Sequence, residues 1–88
     1  RRGGEIDIIA RQGGTTVFVE VKTRDGRRFG AGAEAVTTRK QRRMVGVALD
    51  YLARHHLAER PCRFDVVDVT VGEDGAAVEV YPGAFDAR

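Results

Sequence analysis

Residues 5–22 read EIDIIARQGGTTVFVEVK, two short segments of alternating character that meet at Gly13-Gly14. A two-residue Gly-Gly turn accommodates the positive φ angles of a tight β-hairpin and fixes the register of its strands. In that register Asp7 lies directly opposite Glu20. The stretch therefore predicts an antiparallel hairpin that carries two acids side by side.

The predicted hairpin has one polar face and one apolar face. Glu5 and Lys22 share the polar face with the acid pair, while isoleucine, valine and alanine occupy the other face. Like charges directly opposite each other destabilise a sheet, so folding alone does not favour Asp7 beside Glu20. Two convergent carboxylates with a lysine nearby suit a hard divalent cation and a phosphate. A solvated polar face is the other interpretation of the same alternation.

An amphipathic helix is predicted after a Gly- and Arg-rich surface loop. It begins at Thr37 or Thr38, either of which can act as the N-cap, and it ends near His55 or His56. Its apolar residues recur at helical spacing at Val45, Ala48, Leu49 and Leu52. Because Phe18 lies among the polar residues of the hairpin, we expect the helix to cover part of that face.

Two further strands complete the predicted fold. Residues 64–71 are rich in β-branched side chains, and a change of phase at residues 66–67 indicates a bulge or burial on both faces. Residues 77–81 return as the last strand, which we expect Pro82-Gly83 to stop. The order β-β-α-β-β predicts an α/β fold, a mixed sheet with one long helix packed on it.

The composition describes one small globular domain. At 42% hydrophobic and 32% charged, the 88 residues are too apolar for a disordered chain and allow a single modest core. No apolar run approaches the roughly 20 residues of a membrane span, and no signal peptide is evident. A single cysteine, Cys62, excludes an internal disulfide and suits a reducing compartment. We therefore predict a cytoplasmic protein with one domain over residues 1–88 and no membrane partner.

Basic residues are concentrated in the middle of the chain. Seven of the fifteen lie close together: Arg24, Arg27, Arg28, Arg39, Lys40, Arg42 and Arg43. Cations in the first turn of a helix oppose its dipole, so the helix itself gains nothing from them. Their position favours contact with a polyanion such as nucleic acid, and a solvated charged face is the alternative.

Several strings in the chain together resemble a known family. GEIDII at residues 4–9 and VFVEVKTR at 17–24 resemble the PD-(D/E)XK nuclease superfamily, in which an Asp precedes a (D/E)-X-K triplet on the next strand. The match is narrowed to the YraN-like family, bacterial proteins of restriction-endonuclease-like fold, by RFG at 28–30, EAV at 34–36, RKQRR at 39–43 and RFDVV at 63–67. That family usually has a helix before the first strand. Since this sequence lacks it, we expect the domain to be N-terminally truncated.

The resemblance implies roles for the residues of the hairpin. Asp7 and Glu20, with the main-chain carbonyl of Val21, would bind Mg²⁺ or Mn²⁺, and Lys22 would orient a water or stabilise charge on the phosphate. Glu5 is a candidate for a further ligand or water-binding carboxylate, and pairing with Lys22 is its alternative role. The expected contacts to the phosphodiester backbone are Arg27, Arg28, Arg39, Lys40 and Arg43.

Three classes of function follow from the sequence. The first is a metal-dependent nuclease that acts on DNA or RNA, with branched or otherwise structured DNA among the candidate substrates. The second is a non-catalytic nucleic-acid-binding module of a repair or recombination assembly, and the third is a protein-interaction domain. The exposed edges of the predicted sheet also allow a homodimer, an arrangement that suits enzymes cutting two strands.

Overall fold

One mixed β-sheet and one α-helix form the fold. The computed structural model describes residues 6–25 and 36–87. Its elements are β1 (Ile8–Gln12), β2 (Thr15–Asp25), α1 (Thr38–Arg54), β3 (Cys62–Gly72) and β4 (Gly75–Phe85). The sheet order is β1-β2-β3-β4, with antiparallel pairs at both edges and a parallel β2–β3 pair in the centre. The predicted α/β fold with the order β-β-α-β-β is confirmed.

The first hairpin has the register that its turn predicts. Ile8 pairs with Val19 and Ala10 pairs with Val17, the register that puts Asp7 level with Glu20. Gly13 has a φ of 61°, in the left-handed region that favours glycine. The turn chemistry alone therefore fixes which side chains of β1 and β2 share a face.

The start of α1 is fixed by a side-chain cap. The hydroxyl of Thr37 accepts a hydrogen bond from the backbone N–H of Lys40 at 3.1 Å, so Thr37 is the N-cap rather than Thr38. The side chain of Gln41 donates to the carbonyl of Val36 at 3.0 Å, which holds the entering chain against the first turn.

The end of α1 is a Schellman motif. His55 is the C-cap, as the sequence predicts, and His56 follows with a positive φ of 59°. The N–H of Leu57 donates to the carbonyl of Leu52 at 2.8 Å, and the N–H of His56 donates to that of Ala53. Leu57 also packs against the core, so the motif ties the helix end to the sheet.

The core lies between α1 and the sheet face that carries Phe18. Its buried members are Phe18, Val36, Met44, Ala48, Leu52, Phe64 and Val66. The ring of Phe18 stacks on Phe64 with 5.4 Å between centroids, and complete burial of such a ring contributes about 1.5–3 kcal/mol. The expectation that α1 covers the face with Phe18 is confirmed. The predicted helix stripe was wrong at Leu49, which is 53% exposed because the contact face centres on Met44, Ala48 and Leu52.

The predicted end of the last strand was wrong. β4 continues through Pro82-Gly83 to Phe85, with a register shift between Phe64 and Val66. Gly83 takes a φ of 61° at this irregularity, where the missing N–H of a proline is tolerated. The sequence predicted a bulge or burial on both faces at residues 66–67; β3 has the register shift just before these residues and is buried on both faces at residues 64–66.

Within residues 6–25 and 36–87, no helix combines the length and apolar character that crossing a membrane requires.

Candidate metal site

Asp7 and Glu20 are held together by the backbone of β2. The N–H of Asp7 donates to the carbonyl of Val19 at 3.2 Å, and the carboxylate of Asp7 accepts from the N–H of Val21 at 2.9 Å. Glu20 lies between those two β2 residues, on the face that α1 covers. The hairpin register therefore places the two carboxyl groups side by side without any flexible linkage.

Glu20 is buried between two lysines. Its side chain is only 5% exposed, with the ammonium of Lys22 3.7 Å from Oε2 and that of Lys40 3.7 Å from Oε1. Oε1 is shielded from solvent and has no hydrogen-bond partner among the described residues. A buried carboxylate normally has such partners, so this oxygen is unusual in having only a nearby ammonium group.

The pKa of Glu20 is raised above its ordinary value. Burial is the largest cause, because removing a carboxylate from water disfavours its charged form. The ammonium of Lys40 lowers the pKa, the negative charge of Asp7 raises it, and Lys22 lowers it again. The two lysines thus compensate only part of the cost of burying this acid beside another.

The donor set fits a hard divalent cation. Mg²⁺ and Mn²⁺ prefer oxygen ligands, and the site offers the carboxylates of Asp7 and Glu20, including an oxygen without a hydrogen bond. In the part of the chain that the structure describes, no cluster of three or more His, Cys, Asp or Glu side chains is placed to hold a metal. The described site is therefore a carboxylate pair, and Glu5, the expected third acid, lies outside the described residues.

The structure brings together four of the residues singled out in the sequence: Asp7, Glu20, Lys22 and Lys40. Lys40 was expected to contact phosphate, but here its ammonium lies beside Glu20. Arg39 and Arg43 are exposed on the same helix. Two further predicted phosphate contacts, Arg27 and Arg28, lie outside the described residues.

Sequence reasoning missed two contributions to the site. One is the N–H of Val21, which orients Asp7, whereas only the carbonyl of Val21 was considered. The other is the approach of Lys40 to Glu20. The topology carried a signal for it, because a connection between parallel strands brings the start of the helix back toward the end of the strand that precedes it.

Two other buried acids lie on the neighbouring strand β3. Asp65 accepts from the guanidinium of Arg63 at 3.0 and 3.3 Å and from the N–H of Gly83 at 2.9 Å. Asp68 accepts two bonds from Arg24, at 3.1 and 3.2 Å. Both carboxylates have the directional donors that Glu20 Oε1 lacks.

These features define a class of protein, a small α/β domain whose mixed sheet presents a buried acid pair beside the start of its helix. The model of the Uncharacterised protein family UPF0102 matches residues 1–69, and the chain belongs to this family. The likeness to YraN-like proteins is thereby confirmed at the level of the family.

The relatives of the chain are bacterial UPF0102 proteins. One from Symbiobacterium thermophilum is 61% identical over 74 residues, which cover 84% of this chain and 63% of the relative. Another from Geobacter metallireducens is 46% identical over 85 residues, covering 97% of this chain and 70% of the relative. A third, from Moorella thermoacetica, is 50% identical over 84 residues, 93% of this chain and 70% of the relative. The chain thus spans less than two thirds of the length of the first of these relatives.

Proposed function

We propose that the chain carries a metal-dependent nuclease site that hydrolyses phosphodiester bonds in DNA. The observation that carries the proposal is the buried Glu20 beside Asp7, with one carboxylate oxygen that has no hydrogen bond. Such an arrangement is costly for folding, and perturbed acids of this kind are concentrated at functional sites. The resemblance to PD-(D/E)XK nucleases assigns the same two acids to metal binding.

Asp7 and Glu20 would hold Mg²⁺ or Mn²⁺, with the carbonyl of Val21 as a further oxygen donor. The N–H of Val21 points to Asp7, and the N–H and C=O of a strand residue project toward the same neighbouring strand. The carbonyl of Val21 therefore projects to the side of β2 where Asp7 lies. When bound, the cation supplies charge neutralisation at the phosphate and a water more acidic than bulk water.

Lys22 is the side chain proposed to act on the reacting groups. Its ammonium is held 3.7 Å from Glu20, on the same face of β2, and a third of the side chain is exposed. From that position it can orient the attacking water or stabilise negative charge that develops on the phosphate. Glu5, on the segment preceding Asp7, keeps its proposed role as a further carboxylate of the site.

Exposed basic residues of α1 are proposed to hold the substrate. Arg39 and Arg43 are exposed on the first turns of α1, the helix whose Lys40 approaches Glu20. Contacts of this kind position a phosphodiester backbone without reading its sequence. Arg27 and Arg28 remain proposed members of the same surface.

A second candidate function is a nucleic-acid-binding module that does not cleave. The observation that favours it is the pair of ammonium groups 3.7 Å from Glu20, which already neutralise much of its charge. A module of this kind retains the fold and the basic surface but does not cleave. Its binding to nucleic acid would depend strongly on salt. About six phosphate contacts, at roughly −0.9 each, would give a slope of log K against log[salt] near −5.

Cleavage of a nucleic-acid panel tests the proposal. The panel holds single-stranded, duplex, flapped and four-way-junction DNA with structured RNA, each incubated with Mg²⁺, with Mn²⁺ and with EDTA. We expect metal-dependent cleavage that falls at least roughly 100-fold in Glu20→Gln. The matched control is Glu73→Gln, the same change at an exposed acid in the β3–β4 turn.

Two results would decide against a nuclease site at Glu20. Cleavage that Glu20→Gln leaves unchanged would place the activity elsewhere. If no substrate is cleaved with either metal, but Glu20→Gln and Glu73→Gln both bind nucleic acid in a salt-sensitive way, the binding module would be favoured.

A further inference from the structure

Lys40 lies beside the oxygen of Glu20 that has no hydrogen bond. Its ammonium lies 3.7 Å from Oε1, the buried oxygen without a hydrogen bond, whereas Lys22 approaches the other oxygen, Oε2. The two ammonium groups therefore contact different oxygens of Glu20 and come from different elements of the fold. Lys22 shares a strand with Glu20, but Lys40 reaches it from α1.

The formal charges of the four described groups of the site balance. Asp7 and Glu20 contribute two negative charges, and Lys22 and Lys40 contribute two positive charges, so the four groups sum to zero. A divalent cation added to this group meets two ammonium ions that already neutralise its ligands. Binding the cation through Oε1 brings it close to the ammonium of Lys40, and the repulsion between them is strong in a buried site.

We propose that Lys40 is a resident counter-ion of Glu20 that must leave its position for a divalent cation to bind, and that it then turns to the phosphate of the substrate. This inference rests on the proposed function, since it assigns a role to Lys40 at the same site. Lys40 is suited to the exchange because its ammonium sits on a flexible four-carbon stem. Its side chain is 26% exposed, which gives it a route to solvent.

The exchange couples metal binding to substrate binding. Without nucleic acid, the cation must displace Lys40 into water, which weakens cation binding. With a phosphodiester present, the displaced ammonium has a new anionic partner, so each ligand strengthens the binding of the other by the same factor. The free protein is therefore expected to bind the cation weakly.

Titration of Mn²⁺ alone into the protein, followed by calorimetry, tests the inference without any activity measurement. Lys40→Met should bind Mn²⁺ roughly tenfold more tightly than the parent protein, because the competing charge is gone. The matched control is Arg42→Met, which removes an exposed cation from the same helix. It should leave the Mn²⁺ affinity within about twofold of the parent.

A second measurement follows Lys40 directly. In nuclear magnetic resonance spectra of lysine ammonium groups, Mg²⁺ should shift the Lys40 signal toward that of a solvated lysine. The Lys22 signal should move less.

The outcomes separate this inference from the proposed function. Equal or weaker Mn²⁺ binding in Lys40→Met, with binding that Glu20→Gln abolishes, would overturn the role of Lys40 and leave the metal site intact. Mn²⁺ binding that Glu20→Gln does not change, or no binding in any variant, would overturn both.

Discussion

Glu20 on β2 and Asp65 on β3 are neighbouring buried acids with opposite surroundings. Asp65, 5% exposed, has a guanidinium at 3.0 Å and a backbone N–H at 2.9 Å. Glu20, 4% exposed, has two ammonium groups at 3.7 Å and an oxygen without a hydrogen bond. The two carboxylates are thus equally buried but differ in their hydrogen bonding. Asp65 has directional donors within the fold, whereas Glu20 Oε1 lacks them, and we propose that Glu20 serves a ligand site.

Asp68 extends the comparison on the same strand. It is 3% exposed and accepts two hydrogen bonds from the guanidinium of Arg24, and Asp65 likewise accepts from the guanidinium of Arg63. A guanidinium offers a planar fork that matches a carboxylate, while an ammonium acts as a point charge. The chain therefore places arginine beside the two acids of β3 and lysine beside Glu20 of β2. Substitutions on both strands test whether this contrast separates acids that serve the fold from an acid that serves a ligand site.

The largest effect on stability is expected at Asp65. Asp65→Ala removes the partner of both Arg63 and the Gly83 N–H, and we expect the free energy of unfolding to fall by about 3 kcal/mol. Urea unfolding measures it, with Glu73→Ala in the exposed turn as the control. A loss below about 1 kcal/mol would remove the distinction between the acids of β3 and Glu20.

A smaller loss is expected at Asp68. Asp68→Asn keeps the shape of the side chain but weakens both bonds from Arg24. Because the amide oxygen of asparagine can still accept from Arg24, part of the interaction remains, and we expect a loss of about 1–2 kcal/mol. Thermal unfolding of both variants measures the two losses. A larger loss of stability in Asp68→Asn than in Asp65→Ala would contradict the prediction.

Glu20→Gln is expected to change the pH dependence of stability rather than to destabilise the fold. Since the pKa of Glu20 is raised above its ordinary value of 4.5, the native state holds this proton more tightly than the unfolded state. The charged carboxylate therefore destabilises the fold increasingly as pH rises through 4.5 toward the raised pKa, and the effect is absent well below 4.5.

Stability measured from acid to neutral pH tests this sign. The free energy of unfolding of Glu20→Gln, relative to the parent, should increase with pH across that window. A relative stability that instead falls as pH rises would show that the carboxylate of Glu20 stabilises the native state. The same series on Glu73→Gln should be flat, since that acid is exposed.

The smallest effect expected is the coupling between Lys22 and Glu20. The two groups are 3.7 Å apart and form no directional hydrogen bond. A double-mutant cycle with Lys22→Met and Glu20→Gln should therefore give a coupling energy of about 0.5 kcal/mol. The corresponding cycle for Arg63 and Asp65 should give about 2 kcal/mol. Equal coupling energies would erase the contrast between the two strands.

Local sequence patterns predicted much of the fold and part of the site. Gly13-Gly14 gave the register that places Asp7 against Glu20, because a short turn leaves the strands one pairing. The presence of Phe18 among polar residues correctly indicated which face the helix covers. Pro82-Gly83 misled the prediction, because a bulge can absorb both residues within a strand and sequence composition does not distinguish it from a stop.

The sequence by itself determined the β-β-α-β-β order, the hairpin register and the pairing of Asp7 with Glu20, because each depends on residues close together in the chain. Only the tertiary structure decided that Lys40 meets Glu20 and that Arg24 binds Asp68. The contact of Lys40 depends on how α1 packs over β2, because the two residues are twenty positions apart in the chain. Whether a buried acid is satisfied is likewise set by the geometry of its donors, and that geometry exists only once the sheet and helix have assembled.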